Sequence, residues 1–177
     1  IKHFEPTHKL TDAEIDKLMQ AAIQSPTSYN IQHWRIVQVT DPQLRNQIRR
    51  NGNDQAQMTD ASLLIIMTAD VKAWQKKPQR YWQNAPAGVA KMLVDWMGPF
   101  HEGNEQLQRD EAMRSIGMAM QTIMVAATAM GYQSCPMIGF DPKKGSEIAG
   151  LDAIHIPVRL IVPGRPGPGA PSPARPR

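Results

Sequence analysis

The first fifty residues carry the signals of two helices. Thr11 precedes a series of apolar residues, and Glu14 three positions later completes a capping box. The apolar residues that follow repeat at helical spacing: Ile15, Leu18, Met19, Ala22 and Ile23. Ser25-Pro26 ends this helix, because a residue before proline is disfavoured in the α region. A second helix is predicted from Asp41-Pro42, a capping residue with proline at the first helical position, to about residue 52.

Three short apolar segments predict strands, at residues 36–39, 63–67 and 158–162. The 63–67 run is continuous, which is typical of a strand buried on both faces. Helices and strands alternate without a hairpin signal, so the fold class is α+β or α/β, with a sheet sandwiched among helices.

Three further helices are predicted in the second half of the chain. Pro86 starts one that Gly98-Pro99 ends, and Asp141-Pro142 starts a short one that closes at Gly150. Between them, residues 110–130 form a helix that is apolar nearly all round, which must be covered on every side. We therefore expect this helix, including Met120 and Ile123, to contribute to a subunit interface as well as to the core.

Composition excludes several classes of protein. A chain of 177 residues is the usual size of one domain, and it has no apolar run long enough to predict a membrane span. The net charge of +4 is concentrated in the arginines of the Pro/Gly-rich residues 165–177, so a nucleic-acid partner is not expected. One cysteine is weak evidence for a reducing compartment, and we expect a cytoplasmic protein.

Common catalytic signatures do not occur in the sequence. It has no glycine fingerprint after a strand, no phosphate loop and no nucleophile elbow, and its five histidines lack ligand spacing, so no metal site is expected. Cys135, before Pro136 in a predicted turn, is expected to be a buried apolar residue rather than a reactive thiol. Polar segments instead lie at the ends of several core elements, an arrangement that suits a flat, polar cofactor.

Three spaced motifs make the sequence resemble the nitroreductase family of flavin mononucleotide (FMN) enzymes. They are SPTSYNIQHW at 25–34, QAQMTDAS at 55–62 and CPMIGFD at 135–141, and the resemblance extends from IKHF at 1–4 to Gly164. It implies an α+β fold with a central, mostly antiparallel sheet sandwiched by helices, in an intertwined homodimer. Residues 1–164 would be the FMN-binding domain and residues 165–177 a tail.

The resemblance also implies cofactors, a reaction and site residues. NADH or NADPH would reduce FMN, which would then pass two electrons to a small-molecule acceptor, a nitroaromatic or a quinone. No catalytic side chain is nominated. The residues expected to bind FMN are Lys2, Pro26, Thr27, Ser28, Asn30, Asp54, Gln57, Pro136, Met137, Ile138, Gly139, Arg175 and Arg177.

These residues have distinct expected roles. Residues 26–30 would come from the other subunit, residues 136–139 would pass along the flavin ring with a backbone N–H facing N5, and the two arginines would hold the phosphate. A cation such as Lys2 favours reduced flavin, which carries negative charge near N1 and O2.

The sequence departs from the family pattern at several positions. His33 replaces a usual proline, and Asp54 stands where an amide is commoner and would repel reduced flavin unless it is exposed or paired. The Arg and Ser that usually precede the position of Ile1 and contact the phosphate do not occur in the sequence.

Two alternative functions remain open. One is a flavoenzyme of the same fold with different chemistry, such as a dehalogenase, a flavin-cleaving enzyme or a dehydrogenase. The other is a flavin-binding or flavin-free protein without enzymatic activity, with a sensing or interaction role.

Overall fold

A four-stranded antiparallel sheet forms the centre of the computed structural model, which describes residues 1–152 and 154–169. The strands are β1 (Trp34–Gln38), β2 (Ile65–Asp70), β3 (Gln133–Met137) and β4 (His155–Gly164). Their order is β1-β2-β4-β3, and every neighbouring pair is antiparallel. The predicted α+β class and antiparallel sheet are confirmed.

Six α-helices surround this sheet in the described part of the chain. They are α1 (Asp12–Ala22), α2 (Pro42–Asn51), α3 (Gln57–Asp60), α4 (Ala87–His101), α5 (Glu105–Ala129) and α6 (Pro142–Ala149). The capping box of Thr11 and Glu14 is present, and Asp41 and Asp141 cap α2 and α6 through their carboxylates. Three predicted helix starts are thereby confirmed at the residues that the sequence indicated.

The sheet separates two apolar clusters. The cluster on one side contains residues of α1 and α5, such as Leu18 and Ile116. The cluster on the other side contains residues of α2, α3 and α6, such as Ile48 and Met58. All six residues of β2 are buried, as the continuous apolar run predicted. A smaller third cluster joins Ile31 to the α4 region.

Two helix boundaries differ from the prediction. The helix α4 continues through Pro99 to His101, because its last turn is held by the Glu102 N–H donating to the Gly98 carbonyl at 2.8 Å. The helix α5 begins at Glu105 after a cap from Asn104, and its first turns are polar, so the apolar pattern does not reveal them.

The segment predicted as a turn at Cys135-Pro136 is the strand β3. Proline is tolerated there because β3 lies at the sheet edge, where an N–H is not required on the open side. Cys135 is half-buried rather than buried. Beyond β4, the Gly167 N–H donates to the His3 carbonyl and the Glu5 N–H to the Arg165 carbonyl, so residues 165–167 are held against the N-terminal segment.

The expectation that α5 uses Met120 and Ile123 in a subunit contact is wrong. Both side chains are buried in the chain's own core, at 4% and 0% exposure. Met118 and Val125 on the same helix are exposed, at 38% and 57%. The apolar residues of α5 therefore lie on two faces of the helix: one face is buried in the core of the chain, and the other is exposed. Among the described helices, none has both the length and the apolar character needed to cross a bilayer.

Candidate functional site

The structure places the expected site residues in two groups at opposite edges of the sheet. We call the first the edge group: Lys2, residues 53–57 and residues 136–139, which surround the edge strand β3. The Ile1 amino group donates to the Ser134 carbonyl at 2.9 Å, which sets Lys2 beside this strand. The Asn53 Nδ2 donates to the Gly139 carbonyl at 3.4 Å, which joins the two loops of the group.

The loop after α2 is held in an unusual backbone conformation. Asn53 and Asp54 have φ values of 58° and 51°, in the left-handed region that Asn and Asp tolerate better than most residues. Arg49 Nε donates to the Asp54 carboxylate at 2.8 Å, and this carboxylate is 76% exposed. Asp54 is thus both paired and exposed, the two conditions under which an acid is tolerated near a reduced flavin. Gln57, in contrast, is buried.

The end of β3 presents backbone rather than side-chain functional groups. Met137 is buried in the core, while Pro136 and Ile138 are exposed, the latter at 64%. Within the described residues, the backbone N–H groups of Ile138 and Gly139 donate no hydrogen bond. A Cβ at Gly139 would lie 3.0 Å from both Asn53 Nδ2 and Gln55 Nε2, so the absence of a side chain lets the amide groups approach the chain.

The second group is the 26–30 segment, which leads from α1 towards β1. Asn30 Nδ2 donates to the Tyr81 carbonyl at 3.0 Å, and the Gln32 N–H donates to Thr27 Oγ1 at 3.1 Å. Tyr29 and Asn30 have φ values of 49° and 53°. Asn30 and Pro26 are exposed, and Thr27 and Ser28 are half-buried.

Three strand spacings separate the two groups. The 26–30 segment enters the sheet at β1 and the edge group surrounds β3, on the far side of β2 and β4, a distance of about 14 Å at 4.8 Å per strand. No hydrogen bond among the described residues joins them. Within one chain they do not form a single site. Arg175 and Arg177, the expected phosphate ligands, lie outside the described residues.

His33 is fully buried and contacts α5. Its Nδ1 lies 2.9 Å from the Ser115 Oγ, whose hydroxyl donates to the Glu111 carbonyl, so the ring N–H on Nδ1 donates to the serine oxygen. The pKa of His33 is lowered from 6.5 to about 4, mainly by burial and to a smaller extent by the nearby His101. His33 is therefore neutral at physiological pH and anchors the start of β1.

Three residues of the edge group or its support are not among the expected FMN ligands. Asn53 and Gln55 contact Gly139, and Arg49 neutralises Asp54. Asn53 and Arg49 stand outside the three motifs, and Gln55 is the first residue of one. An Asn directly after Gly52 is a turn signal, but nothing in the sequence shows that the turn meets residue 139.

Comparisons with known proteins identify the family to which this fold belongs. The family model described as the nitroreductase family matches residues 1–165. Protein DrgA of Synechocystis sp. is 55% identical over 175 residues, covering 99% of this chain and 83% of that protein. An oxygen-insensitive NADPH nitroreductase of Helicobacter pylori is 27% identical over 155 residues, covering 83% of this chain and 73% of that protein.

The fold also matches solved structures. A structure of an Exiguobacterium sibiricum protein in complex with FMN superposes with a TM-score of 0.88 at 22% identity, covering 99% of this chain and 88% of that chain. The family and the oxidoreductase class that the three motifs indicated are confirmed by these matches. The chain belongs to the nitroreductase family.

Proposed function

We propose that the chain is an FMN-dependent NAD(P)H oxidoreductase that reduces nitroaromatics or quinones by ping-pong two-electron transfer. It works as a homodimer, with FMN held in the seam between subunits. The observation that carries the proposal is the edge group, in which free backbone donors, amide side chains and a cation surround the exposed end of β3. The relatives named above, one of them an NADPH nitroreductase and another bound to FMN, support the choice of cofactor and donor.

The edge group fits a flat ring system. Residues 136–139 offer exposed backbone with one projecting side chain, Ile138, and the glycine at 139 leaves no Cβ between the chain and the amides of Asn53 and Gln55. Bound FMN supplies the hydride acceptance and donation, while the protein supplies binding, orientation and electrostatics.

Each residue of the group has a physical role towards such a ring. The Ile138 or Gly139 N–H, without an acceptor in the described residues, would donate to N5 and orient the ring. Lys2 would lie near the pyrimidine edge and stabilise the negative charge of the reduced state. The Arg49 guanidinium would offset the repulsion from Asp54. Asn53, which is not among the expected ligands, is better placed for a polar contact than the buried Gln57.

The second group would reach the flavin from the partner subunit. The 26–30 segment lies at the sheet edge opposite to β3, so it cannot reach the edge group of its own chain. The residues that would contact the flavin are therefore the partner subunit's copies of Thr27, Ser28 and Asn30. Uncovered apolar surface supports such an association. Four exposed residues lie at helical spacing on α4, and two more lie on α5: Val89, Met92, Trp96, Phe100, Met118 and Val125.

The decisive experiment is an anaerobic reductive titration of the FMN-loaded protein. We expect NADH or NADPH to bleach the flavin absorbance stoichiometrically, and a nitroarene or a quinone added afterwards to restore it. The nicotinamide must be absent from the second step, since ping-pong transfer requires the donor to have left. A purified protein that is colourless and does not take up FMN would contradict the proposal, and so would a flavin that neither nicotinamide reduces.

A further inference from the structure

A cavity of about 380 Å³ lies apart from both groups, where the N-terminal segment meets α2. Its walls come from the segment before α1, the end of β1, the first turns of α2 and the connection between α3 and β2. None of the residues expected to bind FMN lines it. The volume is in the range of small-molecule sites.

Arg45 of α2 lines this cavity and is 92% buried, with 8% exposure. Its Nη2 donates to the Ala61 carbonyl at 3.0 Å, but its Nε is buried without an acceptor. Among the described residues, no carboxylate forms an ion pair with it. Burial lowers the pKa of the guanidinium, and Asp60 offsets this only through its longer-range charge.

The Arg45 guanidinium has fewer hydrogen-bond acceptors than it has donors. A guanidinium carries five N–H donors, and a buried charge is normally paired and hydrogen-bonded. Here one neutral carbonyl is the only acceptor that the described residues supply. The Nε–H is too deeply buried for a ligand to reach, so the donors left for a ligand are the remaining N–H groups of Nη1 and Nη2. These suit a planar anion, because Arg binds carboxylates through two parallel hydrogen bonds.

The rest of the wall indicates what the anion would be attached to. Leu10, Val39 and Leu63 provide apolar surface, while Lys9 adds a second cation. No Asp or Glu lines the cavity in the described part of the chain. Positive charge beside apolar surface in a space of this size selects a small monoanion with a hydrophobic body over a polyphosphate or a neutral molecule.

We propose that this cavity is a binding site for small amphipathic carboxylates, such as aryl carboxylic acids, with the carboxylate paired to Arg45 and the ring packed on the apolar wall. The site is separate from the flavin region, and the proposal does not depend on the function proposed above.

Benzoate is the probe, with benzamide as the neutral molecule of the same shape and inorganic phosphate as the anion without an apolar body. Calorimetric titration of the FMN-loaded protein is expected to give one saturable benzoate site in the millimolar range or tighter. Benzamide and phosphate should each bind at least about tenfold more weakly, since each loses one of the two interactions.

Variants locate the site. Arg45→Gln should weaken benzoate binding about tenfold or more, and Arg50→Gln, which removes the same charge from an exposed position of the same helix, should leave it within about twofold. Thr40→Trp, at an exposed position on the cavity wall, should block binding with Arg45 intact, which keeps the test available if Arg45→Gln does not fold.

Three results would overturn the proposal. They are benzoate binding that does not saturate, equal affinity for benzoate and benzamide, and benzoate affinity unchanged in both Arg45→Gln and Thr40→Trp. The last result would place the benzoate elsewhere in the molecule, including the flavin region.

Discussion

The edge group and the 26–30 segment are both expected to hold flavin, yet they are built differently. Directly behind the edge group lie buried side chains of the sheet core, among them Met58, Met137 and Phe140. The 26–30 segment has no buried residue. Outside its own loop it contacts Tyr81 through a hydrogen bond from Asn30, and the Tyr29 ring packs against Phe100 and His101 at the end of α4. The first group is complete within one chain, whereas the second has a use only if another chain brings it to a flavin. The four predictions below test this difference.

The largest expected effect comes from breaking the association of subunits while leaving the core intact. Val125→Glu places a carboxylate on the exposed apolar surface of α5, where an unpaired charge buried in an interface costs about 3 to 5 kcal/mol. We expect the dimer dissociation constant to rise about a thousandfold and FMN to be lost with the dimer. Sedimentation and flavin absorbance measured across a concentration series test this.

Val125→Thr is the matched control, because it keeps the shape of the side chain and adds no charge. It should remain dimeric and yellow. A Val125→Glu protein that sediments as a dimer would remove this face of α5 from the interface. A monomer that keeps its FMN would show that the edge group suffices alone and that the 26–30 segment has no part in binding.

The second prediction concerns the anchoring of the 26–30 segment by His33. The pKa of His33 is about 4 in the folded state and near 6.5 when unfolded, so the unfolded chain binds a proton first as the pH falls. The stability from this group is complete above about pH 6.5 and is lost progressively towards pH 4, by about 3 kcal/mol in total.

Urea unfolding at several pH values between 4.5 and 7 measures this loss. His33→Gln replaces the imidazole with an amide that can still reach Ser115 but does not titrate in this pH range. The variant should be less stable than the wild type at pH 7, with a flatter dependence on pH. An equally steep pH dependence in the variant would assign the proton to another residue.

The elements that sequence predicted well are those with local signals. Thr11 with Glu14, Asp41 before Pro42 and Asp141 before Pro142 each satisfy the first N–H groups of a helix, and this chemistry is complete within four residues. The continuous run before Thr68 likewise reveals a strand buried on both faces.

What sequence could not predict depends on contacts between distant segments. Pro136 reads as a turn residue until β3 is known to be an edge strand. Met120 and Val125 are equally apolar in the sequence, but only the packing of α5 on the sheet shows that one is core and the other surface. The contact between Asn53 and Gly139 joins positions 86 residues apart, and no pattern in either segment points to the other.

The third prediction separates the electrostatic contribution of Lys2 from the shape of the edge group. Lys2→Ala removes a cation that would stabilise the negative charge of reduced FMN, and because Lys2 is exposed to solvent the effect is modest. We expect the two-electron potential of bound FMN to fall by about 30 mV, equivalent to about 1.4 kcal/mol weaker binding of the reduced state. Lys17→Ala, a change of the same charge on the exposed surface of α1, should leave the potential unchanged. Equal potentials in the two variants would place Lys2 outside the site.

The smallest expected effect has the opposite sign and tests the acidic side chain of the same group. Asp54→Asn removes a carboxylate that is already exposed and paired with Arg49, so both its stability and its FMN affinity should stay within about 1 kcal/mol of the wild type. Asn also tolerates the left-handed backbone at this position, so the loop should keep its shape. The flavin potential should rise by less than about 20 mV, because a weak repulsion of reduced flavin is relieved. A fall in potential would mean that the unpaired Arg49 turns away from the ring, and the role given to the Arg49–Asp54 pair would then be wrong.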